Sequence, residues 1–327
     1  MDAYDPSDDQ GDPMELPSYD ELRARTDGAP AGTAWGVFGD DDEIGTINLL
    51  DSGRVLAGLA EARLGEVHSL NWDIGMPAPH PYRVVPVRVQ TGAGTFARDD
   101  HVEHLHLQFS SQWDGLRHIN LDGTFYNGVD AATVDDPDST VLGIQHWSRR
   151  GIVGRGVLLD VARHCAATGR PIDVGDTFGI DVALLDEVVA AQGVTIETGD
   201  ILLVRTGWAG WFEGLEPAQR GARFTQTSGQ PGLVADESTA AWLWDHHVAA
   251  VAADNMAVEL APLDMVPGRF LHFRIIPGFG MPLGELFWLD DLAAACAADR
   301  RWTFLFTSAP LHVVGGVGSP PNALAIR

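Results

Sequence analysis

Between residues 35 and 160 the chain alternates short apolar runs with glycine, proline and aspartate, as in Val67-His68-Ser69-Leu70-Asn71-Trp72, 84–89 and 105–109. Runs of four to eight residues bounded by turn formers predict strands. Longer and more continuously apolar are 154–161 (GRGVLLDV) and Ile201–Arg205 after Thr198-Gly199-Asp200, the pattern of strands buried on both faces. A different period appears at 181–192 (DVALLDEVVAAQ), where apolar residues recur at i, i+3, i+4 and i+7. That spacing predicts a helix, opened by an acidic residue and closed by Gly193. Residues 236–246 and 289–298 read as further helices, 248–253 as an apolar run, and 302–310 with 311–314 as a closing strand pair. Strands alternate with a few helices and no repeat or low-complexity linker divides them, so a single mixed α/β domain over 21–327 is expected.

The N-terminus breaks the pattern. Residues 1–20 are rich in Asp, Pro and Ser with few apolar anchors, which predicts a flexible acidic tail. Ser18 is placed to cap a short helix running to about Arg25.

Charge narrows the choice of partners. The 46 acidic against 21 basic side chains leave a formal net charge of -25, whose field repels nucleic acid and anionic membranes. Two cysteines, Cys165 and Cys296, are too few for a disulfide framework. With no basic leader followed by an apolar stretch and no apolar run near 20 residues, the expected location is the cytoplasm.

The densest chemistry lies in Ser110-Ser111-Gln112-Trp113-Asp114-Gly115-Leu116-Arg117-His118. Asp114 and His118 suit either a metal site or an acid/base pair, and an exposed Asp–Arg pair accounts for the composition equally well. His101, His104 and His106 form a second cluster, with His104 and His106 on one face if the segment is a strand. A rigid Gly/Pro loop runs from His272 to Glu285, suited to holding side chains in place. Asp254 and Asn255 end an apolar run, where a side chain faces a cleft or simply forms a turn.

Taken together, SSQWDGLRH, GIVGRGVLLDV at 151–161, ETGDILLVRTGW at 197–208, PGL at 231–233, AADN at 252–255 and the loop from His272 to Glu285 resemble the cyclase family of hydrolases. That family includes bacterial kynurenine formamidase and isatin hydrolase, and the similarity spans roughly residues 35 to 315. Its metal-dependent members carry H-x-G-T-H-x-D-x-P-x-H. Laid on this chain, the two leading histidines fall on Gln108 and Gln112, the aspartate on Asp114 and the final histidine on His118, while the remaining ligands match His272 and Glu285. Two imidazoles are therefore amides here, and amide oxygen is a hard, neutral and weaker donor.

The resemblance implies a swivelling β/β/α fold, a mixed sheet with peripheral helices, assembled as a homodimer or homotetramer. It implies a small-molecule substrate and a divalent metal (Mn, Mg or Zn) on Asp114, Gln108, Gln112, His272 and Glu285. His118, Asp114 and Arg117 would be catalytic, and Gln112, Trp113, Tyr126 and Asn127 would bind substrate. Residues 35–38 and 42–48 would approach a neighbour's active site. The expected reaction is hydrolysis of a cyclic or aryl amide, lactam or ester carbonyl. Two alternatives follow from the amide replacements: a metal-independent lyase, dehydratase or cyclase of secondary metabolism, and a non-catalytic small-molecule binding protein.

Overall fold

A computed structural model describes residues 15–225 and 227–327. The expected tail falls largely outside the described residues, but its last part is docked. Tyr19 and Leu22 are buried in a helix spanning Tyr19–Ala24, closed by a capping box between Ser18 and Glu21. The Tyr19 amide donates to Asp245 at 2.7 Å and the Trp244 indole donates to the Pro17 carbonyl, also at 2.7 Å. Apolar anchors at Leu16, Tyr19 and Leu22 thus end the tail earlier than residue 20.

The strands are β1 (Val67–Ser69), β2 (Val87–Thr91), β3 (Asp99–Glu103), β4 (Gln112–Asp114), β5 (Ile152–Asp160), β6 (Phe178–Ile180), β7 (Ile201–Arg205), β8 (Pro231–Leu233), β9 (Ala250–Ala253), β10 (Leu283–Glu285), β11 (Thr303–Ser308), β12 (Gly318–Ser319) and β13 (Ala323–Ile326). Nine of them form one mixed sheet in the order β1-β13-β11-β5-β7-β9-β10-β4-β12. The apolar runs at β5, β7 and β9 sit at its centre in parallel register with β10, fully buried as their composition requires. The helix Ser52–Glu61 crosses β5 so closely that a Cβ on Gly58 would lie 2.6 Å from the Gly154 carbonyl carbon, which only a glycine in the helix permits.

The helix predicted at 181–192 spans Val182–Gln192, with the Asp181 carboxylate accepting from the Leu184 amide at 2.9 Å and Gly193 in the left-handed conformation after its last turn. Two strand expectations differ from the fold. Residues 105–109 form a loop, because the strand before them ends at Glu103 and His104 takes a φ of 57°. Residues 311–314 do not pair with β11, whose neighbours are β5 and β13. No helix among the described residues is long and apolar enough to cross a membrane.

Candidate active site

β4 supplies two side chains to one face of the sheet because successive residues alternate. Gln112 and Asp114 share that face, and Trp113 points to the other. Antiparallel pairing sets Glu285 of β10 opposite Gln112, so the Gln112 amide donates from Nε2 to Glu285 Oε2 at 2.6 Å. Gly284 lies opposite Trp113, and a Cβ there would meet the indole at 2.7 Å. The same register thus brings two carboxylates together on one face and seats a large aromatic on the other.

His272, in the helical turn Leu271–Arg274, completes the cluster. One ligand atom each from Asp114, His272 and Glu285 lie within 4.8 Å of one another, and all three residues are buried. The imidazole is oriented from behind by Glu259, whose Oε1 sits 2.5 Å from Nδ1 and whose carboxylate also accepts from the amides of Leu271 and His272. Nε2 is left to face the centre, 3.3 Å from Glu285 and 3.8 Å from Asp114 Oδ2. A carboxylate behind a ligand imidazole fixes its tautomer and ring plane.

Burial pushes the His272 imidazole down, but hydrogen bonds and charge from Glu259 and Glu285 outweigh it and hold it up at about 10. Glu285 is raised to about 7 by burial and then by the neighbouring Asp114 charge. Two carboxylates in a dry pocket call for positive charge between them.

Asp114 divides its oxygens. Oδ1 accepts from Nε2 of Gln108 and, at 3.4 Å, of Gln112, while Oδ2 is buried with no hydrogen-bond partner. His118 stands 3.6 Å from Oδ2 through Nε2, and its Nδ1 is 3.1 Å from Gln108 Nε2. With 26% of its side chain exposed, His118 is the member of the cluster that reaches solvent. Burial holds its imidazole below the ordinary range against the opposing pull of Asp114, which favours the neutral ring.

The donor set fits a divalent cation. An orphaned buried carboxylate oxygen, an imidazole nitrogen aimed inward and a second carboxylate converge, and a buried unpaired oxygen is costly unless something positive meets it. Gln108 and Gln112 present nitrogen to the carboxylates, so in this arrangement they donate to the ligands rather than ligate, which differs from the expectation. Gln112 Oε1 is also buried without a partner.

Other expected residues serve the scaffold. Arg117 donates to the carbonyls of Ser139, Gly315 and Val134, so its guanidinium is committed to loops and not to a substrate. Trp113 is 0% exposed, packs on Phe287 and Phe306 and donates to Ser308, leaving no free face for stacking. Tyr126 donates to Asp42 at 3.0 Å, and Asn127 ties Gly36, Gly39 and Asp40, so both anchor residues 36–42 within their own chain. His101 and His104 lie exposed on and after β3, and do not converge on the centre. Asp254 accepts from the Thr206 and Gly207 amides, and Asn255 donates to the Pro231 carbonyl, so both are buried ties to distant segments and not local turn formers.

Glu259 and Arg83 were not legible as site residues. Arg83 donates to the Gln108 carbonyl, stands 3.2 Å from His80 Nε2, and its charge reaches both His118 and Glu285. Their places depend on loops folding back onto β4, which no local spacing records.

Against known proteins, the family model described as "Putative cyclase" matches residues 67–260, more than half of the chain. A crystal structure of a novel cyclase shares 31% identity, covering 90% of this chain and 97% of the other with a TM-score of 0.81. The chain belongs to the cyclase family. Within this cyclase, Asp114 and His118 fall inside the matched span, and His272 and Glu285 lie beyond it. Its mixed sheet with peripheral helices is the fold of the family. Isatin hydrolase A from Labrenzia aggregata, bound to benzyl benzoate, shares 16% identity over 80% of the cyclase and 93% of its own chain, with a TM-score of 0.56. An isatin hydrolase bound to the product analogue thioisatinate shares 17% over 84% and 98%, with a TM-score of 0.55. No curated protein matches the sequence.

Proposed function

We propose that this cyclase is a hydrolase of a cyclic or aryl amide, lactam or ester, with a divalent cation on Asp114, His272 and Glu285 and His118 as its proton carrier. The observation that carries the reading is Asp114 Oδ2, buried and unpartnered between the Nε2 atoms of His118 and His272. Likeness in fold to isatin hydrolases supports a lactam-type carbonyl as substrate.

A cation held there would polarise the scissile carbonyl and lower the pKa of a water. The remaining work belongs to side chains. Glu259 keeps His272 Nε2 turned inward, while the Gln108 and Gln112 amides steady the carboxylates through Asp114 Oδ1 and Glu285 Oε2. Because Gln108 donates to His118 Nδ1, the neutral ring carries its own proton on Nε2, beside Asp114, and its lone pair lies at Nδ1. Neutral His118 takes a proton from the attacking water at Nδ1, giving up its Gln108 contact, and returns it from there to the leaving nitrogen or oxygen.

The test is a panel of isatin, other lactams, aryl amides and aryl esters, read as release of the carboxylate product with Mn, Mg or Zn supplied and after chelation. The reading expects turnover of at least one lactam or aryl amide, abolished by chelator and by Asp114→Ala. His118→Ala should lower kcat by a factor on the order of 10²–10⁴ while leaving metal content unchanged. Absence of product across the panel with metal-loaded protein, or normal turnover in His118→Ala, would contradict it.

For assembly we propose a homo-oligomer in which the β2–β3 hairpin is the contact. A two-stranded ribbon with both faces exposed lacks a core of its own. Its tip carries Phe96 fully in solvent, with Val84, Val87 and Val102 also exposed. The hairpin holds Arg88 and Arg98 against Asp99, Asp100 and Glu103, with Arg88 paired to Asp100 at 2.8 Å, so its apolar side chains are what it offers a second copy.

A further inference from the structure

A cavity of about 360 Å³ opens between the N-terminal segment, the 121–124 turn and the helical segment that follows His272. None of its lining residues belongs to the Asp114 centre, and none was singled out by the catalytic reading. Its walls are Trp35, Pro30, Leu121, Phe273 and Pro277, with Arg274 as the one cationic side chain. Volumes of this size, apolar with a few placed polar groups, are those of small-molecule sites.

Arg274 is held in an unusual way. Its Nε is buried without a hydrogen-bond partner, and its one hydrogen bond, from Nη2 to the Gly268 carbonyl, is long at 3.4 Å. No carboxylate of the described residues lies within ion-pair distance, although this chain has more than two acidic groups for each basic one and pairs Arg205 with both Asp160 and Asp290. The Tyr19 hydroxyl of the lining donates to Glu237 at 3.3 Å; burial and then that carboxylate raise the phenol, and the Arg274 charge pulls it back. Nη1 is neither buried away nor hydrogen-bonded among the described residues, and with Nη2, whose one bond is long, it presents the planar edge that matches a carboxylate in two parallel hydrogen bonds.

The walls themselves are fixed. The Trp35 indole donates to the Pro277 carbonyl at 2.6 Å and the Ala34 amide donates to Gly278 at 2.8 Å, so the aromatic face over the cavity is set before any ligand arrives. Asp122, the one carboxylate among the lining residues, is exposed at the rim.

We infer that this cavity is a second binding site, separate from the catalytic centre, for a small organic carboxylate with a flat apolar body. The carboxylate sits on Arg274 and the body between Trp35 and Phe273. Calorimetric titration of the full-length chain with phenylacetate, alongside its neutral counterpart phenylacetamide, tests it. The carboxylate should bind one per chain and the amide at least about tenfold more weakly, as loss of a charge-assisted pair implies. Arg274→Met should weaken phenylacetate by about tenfold or more, and Ala31→Trp, a substitution at an exposed rim position that needs no repacking, should do the same by filling the mouth. His118→Ala should bind as the parent does. Equal binding of acid and amide, undiminished binding in Ala31→Trp, loss of binding in His118→Ala, or no heat at about 10 mM phenylacetate would each overturn the assignment.

Discussion

Asp114 has different surroundings at its two oxygens, and that division decides what the centre can do. One oxygen is satisfied by glutamine amides and the other is kept bare between two imidazoles. Glu259 matters as much without facing the centre. Replacing it by Gln removes the charge behind His272, and metal affinity should fall by about 10–100-fold, measured by competition with a chromophoric chelator. Unchanged affinity in that variant would mean that His272 is not a ligand. Asp114, His118 and Gln112 were legible because they crowd into one local run, and Gln108 only through the family motif laid over it. Trp113 was misread as a substrate contact because an aromatic beside an aspartate looks like part of the same site; in a strand, adjacent residues face opposite ways. Arg117 likewise reads as a polarising cation in sequence, and the carbonyls that occupy it come from loops far along the chain.

At the level of elements, helix ends and buried strands were the legible features. Asp181 and Gly193 delimit their helix as their chemistry requires, and Gly193 adopts φ 65° and ψ 31°. Gly193→Ala forces a Cβ into that left-handed conformation and should cost on the order of 1 kcal/mol, measured by denaturant unfolding. A stability equal to the parent's would show that the cap is replaceable. The continuous apolar runs of β5, β7 and β9 announced central parallel strands. What escaped was the three-residue strands β4 and β10, too short for any period, which carry Gln112, Asp114 and Glu285. Residues 105–109 carry strand composition, but the left-handed His104 ends β3 and sends the chain on as a loop.

Over the whole molecule, acidity is the dominant surface property, and the β2–β3 arm stands out by its exposed apolar side chains. If the arm joins two copies, Phe96→Ser combined with Val87→Ser should shift the mass measured by light scattering toward the single chain. A mass unaffected by the two substitutions would move the contact elsewhere. Fold class and family were readable from dispersed segments that each form part of the sheet; the arm's role was not, since exposure has no signature in a run of valines. The central claim nevertheless rests on the buried centre, where three carboxylates and two imidazoles meet and one oxygen is left without a partner. Elemental analysis of full-length protein purified without chelator, beside Asp114→Ala prepared in the same way, tests it most directly. About one divalent ion per chain in the parent and a large loss in the variant is the expected result. A folded parent that takes up no stoichiometric divalent metal even when it is supplied, or an Asp114→Ala protein that retains it in full, would contradict the account.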